Sequence, residues 1–127
     1  MGVVCAMQEY SICGKTVAAD LYGVDFNLIN DKDFLVKLLT DAAVLCGANV
    51  LDSISWQFFP NGVTVANILS ESHITCHSYP ESGFIALDCY TCGTSCDPEI
   101  AIQYCIDKLN PTDGYDKEVI ARGKRSL

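Results

Sequence analysis

The chain carries one stretch that is dense in groups able to do acyl or proton chemistry: Leu69-Ser70-Glu71-Ser72-His73, followed by Ile74-Thr75-Cys76-His77-Ser78-Tyr79-Pro80-Glu81. It places a Glu-Ser peptide bond between two hydroxyls, with both histidines of the chain close by. A hydroxyl beside a carbonyl, with imidazole near at hand, is the minimum set for attack on an acyl carbon. The same residue types also make ordinary polar turns, so the surrounding elements decide between the two.

Those elements fit one domain. A chain of 127 residues is long enough to bury a core without staples. Half the residues are hydrophobic and 19% are charged, a globular composition. The net charge of −8 argues against a nucleic-acid partner. No apolar run is long enough to span a bilayer, and the opening Met1-Gly2-Val3-Val4-Cys5-Ala6 lacks the form of a signal peptide or a myristoylation site. A cytoplasmic protein with no membrane partner is expected. Its eight cysteines are then expected to be reduced thiols, with Cys46 and Cys105 on the apolar faces of helices.

In order, residues 1–13 show no period and read as a loose arm. Residues 15–22 read as a strand, 24–30 as a loop, and a helix capped by Asn30 or Asp31 runs to Gly47. Strands are expected over 49–59, 63–69, 73–79 and 84–90, with turn signals at Pro60-Asn61-Gly62 and Pro80-Glu81-Ser82-Gly83. Asp97-Pro98 opens a second helix, and 115–121 return as a last strand. The order β-α-β-β-β-β-α-β predicts an α+β fold: an antiparallel sheet with two helices packed on one face. The other sheet face or an edge then needs a partner, which suggests a homodimer.

On a strand, His73, Thr75, His77 and Tyr79 share one face and Ile74, Cys76 and Ser78 the other. For His73, directly after a corner, the expected role is a solvated surface residue. The spacing of His73 and His77 with Cys89, Cys92 and Cys96 invites a zinc reading. On an extended strand, though, the two histidines lie about 13 Å apart at roughly 3.3 Å per residue, so no metal site is expected. A thioredoxin-type pair at Cys89 and Cys92 is disfavoured because Cys89 lies within a strand.

Three motifs in order, Leu69-Ser70-Glu71-Ser72-His73-Ile74-Thr75, His77-x-Tyr79-Pro80-Glu81 and Asp88-x-Tyr90-Thr91-Cys92-Gly93, resemble the prokaryotic S-adenosylmethionine decarboxylase proenzymes. The upstream turn Phe58-x-Pro60-x-Gly62 matches as well. The resemblance implies a carboxy-lyase that cuts itself between Glu71 and Ser72, yielding 1–71 (β chain) and 72–127 (α chain). Ser72 attacks the Glu71 carbonyl, elimination follows, and Ser72 becomes a pyruvoyl group. That group is the cofactor, and it forms a Schiff base with S-adenosylmethionine before CO2 leaves. The product is the aminopropyl donor for spermidine synthesis.

By the same resemblance, His77 transfers protons in processing, helped by the hydroxyl of Thr64, which stands where the family usually has serine. Cys92 is the proton donor in decarboxylation. Phe58, His77 and Tyr79 line the substrate site, and Glu81 holds the ribose hydroxyls. The family's sites form at a dimer interface. Two other readings stay open: a pyruvoyl-dependent ornithine or arginine decarboxylase on the same scaffold, or an unprocessed, non-catalytic relative.

Overall fold

The computed structural model describes residues 12–93 and 95–125. The elements are β1 (Gly14–Leu21), α1 (Phe26–Ile29), α2 (Lys32–Leu45), β2 (Val50–Gln57), β3 (Val63–Leu69), β4 (Ser72–Tyr79), a 3-10 turn (Pro80–Ser82), β5 (Phe84–Cys92), α3 (Pro98–Leu109) and β6 (Tyr115–Arg122). The strands form one six-stranded antiparallel sheet in the order β2-β3-β4-β5-β1-β6. The expected α+β layer is present. The stretch read as a loop over 24–30 contains the one-turn helix α1, whose Asp25 side chain accepts a hydrogen bond from the Asn27 N–H. Four residues are too few to show a helical period.

Both long helices begin where the cap chemistry puts them. Asp31 accepts from the Phe34 N–H at 3.0 Å and opens α2. Asp97 accepts from the Glu99 N–H at 3.0 Å, with Pro98 at the first turn of α3. α2 ends at Leu45 with Cys46 as its C-cap, and Gly47 follows with φ +104°, a conformation that glycine adopts without a Cβ clash.

α2 lies over β2, β3 and β4, α3 over β1 and β5, and the helices pack on each other. Leu35, Leu38, Leu39, Ile102, Cys105 and Leu109 meet Val17, Val65, Ile74, Ile85 and Cys89 in the layer between. Burying each large aliphatic side chain contributes about 1.5–3 kcal/mol. The buried polar groups are paired. Ser78 Oγ donates to the Ile29 carbonyl at 2.6 Å and accepts from the Val63 N–H at 3.0 Å. Asn67 accepts from Ser53 Oγ at 2.6 Å.

Among the described residues, the opposite sheet face carries no helix. The register places Ile54, Trp56, Thr64, Ile68, His73, Thr75, His77, Asp88 and Tyr90 there. Ile54 and Trp56 are exposed to 73% and 66%. Among the described residues, Cys46, Cys76, Cys89, Cys92, Cys96 and Cys105 are free thiols, and Cys46 and Cys105 are core residues as expected. Cys13 departs from the expectation of reduced thiols: it is disulfide-bonded.

Candidate active site

Two residues, Ser70 and Glu71, connect β3 to β4, and Leu69 pairs with Ser72 across the hairpin. The corner is tied down from outside: the Ser70 N–H donates to the Asn49 carbonyl at 2.8 Å, and Ser70 Oγ accepts from the Asn49 N–H at 3.1 Å. β5 runs beside β4, so Cys92, its last residue, arrives next to Glu71. The Cys92 main-chain N–H donates to the Glu71 carbonyl at 3.3 Å and the Cys92 thiol donates to the same oxygen at 3.4 Å. Two donors on the carbonyl of one peptide bond polarise it and would hold negative charge developing on its oxygen.

The peptide bond concerned is the Glu71-Ser72 bond. Ser72 has φ +152°, a value that favours glycine, and side chains there cost of order 1–3 kcal/mol. Its Oγ lies 3.4 Å from His73 Nδ1. His73 Nε2 in turn faces Asp88 Oδ2 at 3.7 Å, and Thr75 Oγ1 donates to the other Asp88 oxygen. Tyr90 meets the His73 ring edge-on at 5.8 Å.

A second cluster sits at the far end of β4. Counting back from the Leu69–Ser72 pair, the ladder places Thr64 opposite His77, and Thr64 Oγ1 lies 2.5 Å from His77 Nδ1. Phe58 and Tyr79 contact the His77 ring edge-on, at 5.6 and 4.6 Å between ring centres. The result is a half-open aromatic corner around an imidazole. His77 is five residues from Ser72 along an extended strand, about 16 Å at roughly 3.3 Å per residue. Within one chain the two clusters therefore stay apart.

Glu81 projects from the 3-10 turn and is positioned by a chain of amides. Asn61 Nδ2 donates to Glu81 Oε2 at 3.2 Å, and Asn30 Nδ2 donates to Asn61 Oδ1 at 3.0 Å. Asn30 Oδ1 accepts from the Gly62 N–H at 3.0 Å and from Gln57 Nε2 at 3.1 Å. The Phe58 N–H donates to the Gly62 carbonyl at 2.8 Å, closing the turn that presents the Phe58 ring. Asn30 thus links the Phe58 turn to the Glu81 turn. Gly62 has φ +116°, and a Cβ there would come within 3.2 Å of the Ser78 carbonyl.

The thiols divide by environment. Burial pushes Cys76 up to about 12 and pushes Cys89 and Cys105 up further, so all three stay protonated near neutrality. Cys46 and Cys96 are raised for the same reason. Cys92 is half-buried at the strand end, beside the carbonyl described above.

Of the residues singled out from sequence, the structure brings Glu71, Ser72 and Cys92 together in one cluster. It gathers Thr64, His77, Phe58 and Tyr79 in a second, with Glu81 on the adjoining turn. His73 keeps 41% of its side chain exposed, as expected of a surface residue, but the Ser72 backbone also turns the Ser72 hydroxyl toward its ring. Asn30, Asn61 and Asp88 were not anticipated. Asn30 read only as a helix cap, and Asp88 only as part of a motif.

The geometry defines a site built around a Glu-Ser bond whose carbonyl accepts two hydrogen bonds, with an aromatic, carboxylate-bearing recess at the far end of β4. Residues 15–123 match the family model described as S-adenosylmethionine decarboxylase. The chain is 52% identical over 112 residues to an S-adenosylmethionine decarboxylase proenzyme of Brevibacillus brevis, covering 88% of this chain and 84% of the relative. It is 50% identical over 112 residues to S-adenosylmethionine decarboxylase proenzyme 2 of Bacillus cereus, covering 88% and 91%. The crystal structure of the adenosylmethionine decarboxylase from Aquifex aeolicus superposes with a TM-score of 0.82 at 36% identity, covering 91% of this chain and 98% of that one. The chain belongs to the S-adenosylmethionine decarboxylase family and is a decarboxylase.

Proposed function

We propose that the chain decarboxylates S-adenosylmethionine with a pyruvoyl group made from its own Ser72. The observation that carries this reading is the pair of Cys92 donors on the Glu71 carbonyl, next to a Ser72 held at φ +152°. Attack of Ser72 Oγ on that carbonyl converts the amide to an ester. Removal of the Ser72 Cα proton then expels residues 1–71 with a terminal carboxylate and leaves dehydroalanine at residue 72, which water hydrolyses to the pyruvoyl group with loss of ammonia. Breaking the Glu71 C to Ser72 N bond also releases the backbone strain at Ser72. A pyruvoyl group at residue 72 supplies the electron sink for loss of CO2.

The chain's own residues then bind and protonate. Phe58, Tyr79 and His77 offer ring faces and edges to a purine, and Glu81 offers two acceptor oxygens to a vicinal diol. Cys92 Sγ, next to the corner, is the proton donor to carbon after CO2 leaves. This arrangement favours a nucleoside substrate over ornithine or arginine, because a small basic amino acid requires neither the aromatic recess nor the diol-binding carboxylate. The product of such a reaction is an aminopropyl donor for spermidine synthesis.

Thr64 and His77, about 16 Å from Ser72 of their own chain at roughly 3.3 Å per residue, act in the elimination on a second copy. We infer a homodimer joined through the helix-free sheet face, where Ile54, Trp56 and Ile68 are exposed. Measured CO2 release from S-adenosylmethionine, ornithine and arginine tests the substrate. The highest kcat/KM is expected for S-adenosylmethionine, and a higher value for either amino acid contradicts the reading.

A further inference from the structure

The proposed self-processing needs a base for the Ser72 hydroxyl, and His77 of the same chain is too far away to be that base. The chain has two histidines. The other is His73, whose Nδ1 lies 3.4 Å from Ser72 Oγ.

We propose that His73 is the general base of the first processing step and that Asp88 is its positioning residue; this rests on the self-cleavage reading above. Nδ1 can accept the Ser72 proton only if the ring carries its hydrogen on Nε2. Nε2 is the atom that faces Asp88 Oδ2, at 3.7 Å, so the carboxylate favours the required tautomer and then faces the imidazolium that forms. Thr75, one pleat along β4, donates to the other Asp88 oxygen and fixes the carboxylate. Tyr90 closes the edge of the ring, and the Arg122 guanidinium covers Tyr90 at 5.0 Å, with its Nη1 donating to Thr16 Oγ1 at 3.0 Å. The gaps at His73 exceed formed hydrogen bonds by a few tenths of an ångström, as catalytic contacts commonly do before the reacting geometry is reached.

The step balances within the chain. Ser72 Oγ bonds to the Glu71 carbonyl carbon while its proton passes to His73 Nδ1. The charge that develops on the Glu71 oxygen is met by the Cys92 N–H and thiol. The Glu71 C to Ser72 N bond then breaks, and His73 returns the proton to the leaving nitrogen. The product is an isomer of the starting chain, with an ester in place of an amide and no co-reactant consumed. The two histidines divide the work: His73 makes the ester, and His77 of a second copy serves its elimination.

Hydroxylamine, which cleaves esters and spares amides, separates these steps. Wild type, His73→Ala, His73→Gln, Asp88→Asn and His77→Ala chains are followed by denaturing electrophoresis and intact mass, each with and without hydroxylamine. The His77→Ala chain is expected to accumulate as a hydroxylamine-cleavable species cut after residue 71. The His73→Ala and His73→Gln chains are expected to resist hydroxylamine and to form ester about 10²-fold or more slowly. Added imidazole is expected to restore cleavage to His73→Ala but not to His73→Gln, whose side chain still fills the site. Asp88→Asn is expected to slow ester formation in the wild-type background and to change nothing in the imidazole-rescued His73→Ala chain, a result that a merely structural role for Asp88 would not produce. A His73→Ala chain that forms ester at the wild-type rate overturns this inference alone. A wild-type chain that never cleaves overturns the self-processing reading and the inference with it.

Discussion

The Cys92 N–H and the Cys92 thiol both donate to the carbonyl oxygen of Glu71, at 3.3 and 3.4 Å. Under the proposed function one residue serves two stages: before cleavage it polarises the bond that is to break, and afterwards its thiol is the proton donor beside residue 72. Cys92→Ala removes the thiol but keeps the N–H. It is expected to process more slowly than wild type, by about tenfold for one lost hydrogen bond, and to lose decarboxylase activity by about 10²-fold or more for a lost proton donor. Timed electrophoresis measures the first effect and CO2 release from the processed fraction measures the second.

Thr64 keeps a hydroxyl at 2.5 Å from His77 Nδ1, but its methyl restricts χ1. Thr64→Ser is expected to self-process at least as fast as wild type. Thr64→Val, nearly the same shape without the hydroxyl, is expected to slow processing by about 10- to 100-fold. Intact-mass time courses of the three chains check the order.

The amide chain from Asn30 through Asn61 to Glu81 positions the carboxylate proposed to bind the ribose diol. Glu81→Ala is expected to raise KM for S-adenosylmethionine by about 10- to 100-fold, the loss of a hydrogen bond to a charged group. Asn61→Ala should raise it less, and should add nothing in a Glu81→Ala background because the two act as one unit. Steady-state kinetics of the double-mutant cycle measure this coupling.

If His77 of one copy serves Ser72 of another, two inactive variants can complement. A mixture of His77→Ala and Cys92→Ala chains, co-expressed so that they assort at random, is expected to recover about a quarter of wild-type activity, because half the dimers are mixed and each holds one complete site. Each variant alone stays inactive. Recovery of nothing in a mixed dimer would place both residues in a site drawn from one chain.

Burial holds Cys76 at about 12 when folded. Its folded value lies above its unfolded one, so above the unfolded value the unfolded state binds fewer protons and stability falls as pH rises. The loss begins near pH 9 and runs to about 12, at up to about 1.4 kcal/mol per pH unit for this one group. Urea midpoints between pH 8 and 10, taken as about one unit either side of the unfolded thiol value, should fall less steeply for Cys76→Ala than for wild type.

Much of this site was legible before any coordinates, and the hairpin shows why. Strands were expected over 63–69 and 73–79 with a three-residue corner between them. The structure starts β4 one residue earlier, and the two-residue connection from Leu69 to Ser72 sets the register in which Thr64 faces His77. Alternation along β4 likewise assigns His73, Thr75 and His77 to the uncovered face and Ile74, Cys76 and Ser78 to the core. The two long helices were legible from Asp31, Gly47 and Asp97-Pro98, whose cap chemistry is local. What alternation missed lies where the backbone leaves its regular path. Ser72 at φ +152° turns its hydroxyl toward His73, a contact that ideal strand geometry would place on opposite faces. The Asn30–Asn61–Glu81 chain joins residues about thirty and twenty positions apart, and no periodic pattern encodes such a meeting.

The central claim is that the chain cuts itself and converts Ser72. Intact mass of the purified protein under denaturing conditions tests it most directly. Two fragments, 1–71 ending in Glu71 and 72–127 beginning with a pyruvoyl group rather than a free serine amine, are the predicted result. A single stable chain of 127 residues, or a fragment 72–127 with an ordinary amino-terminal serine, contradicts it.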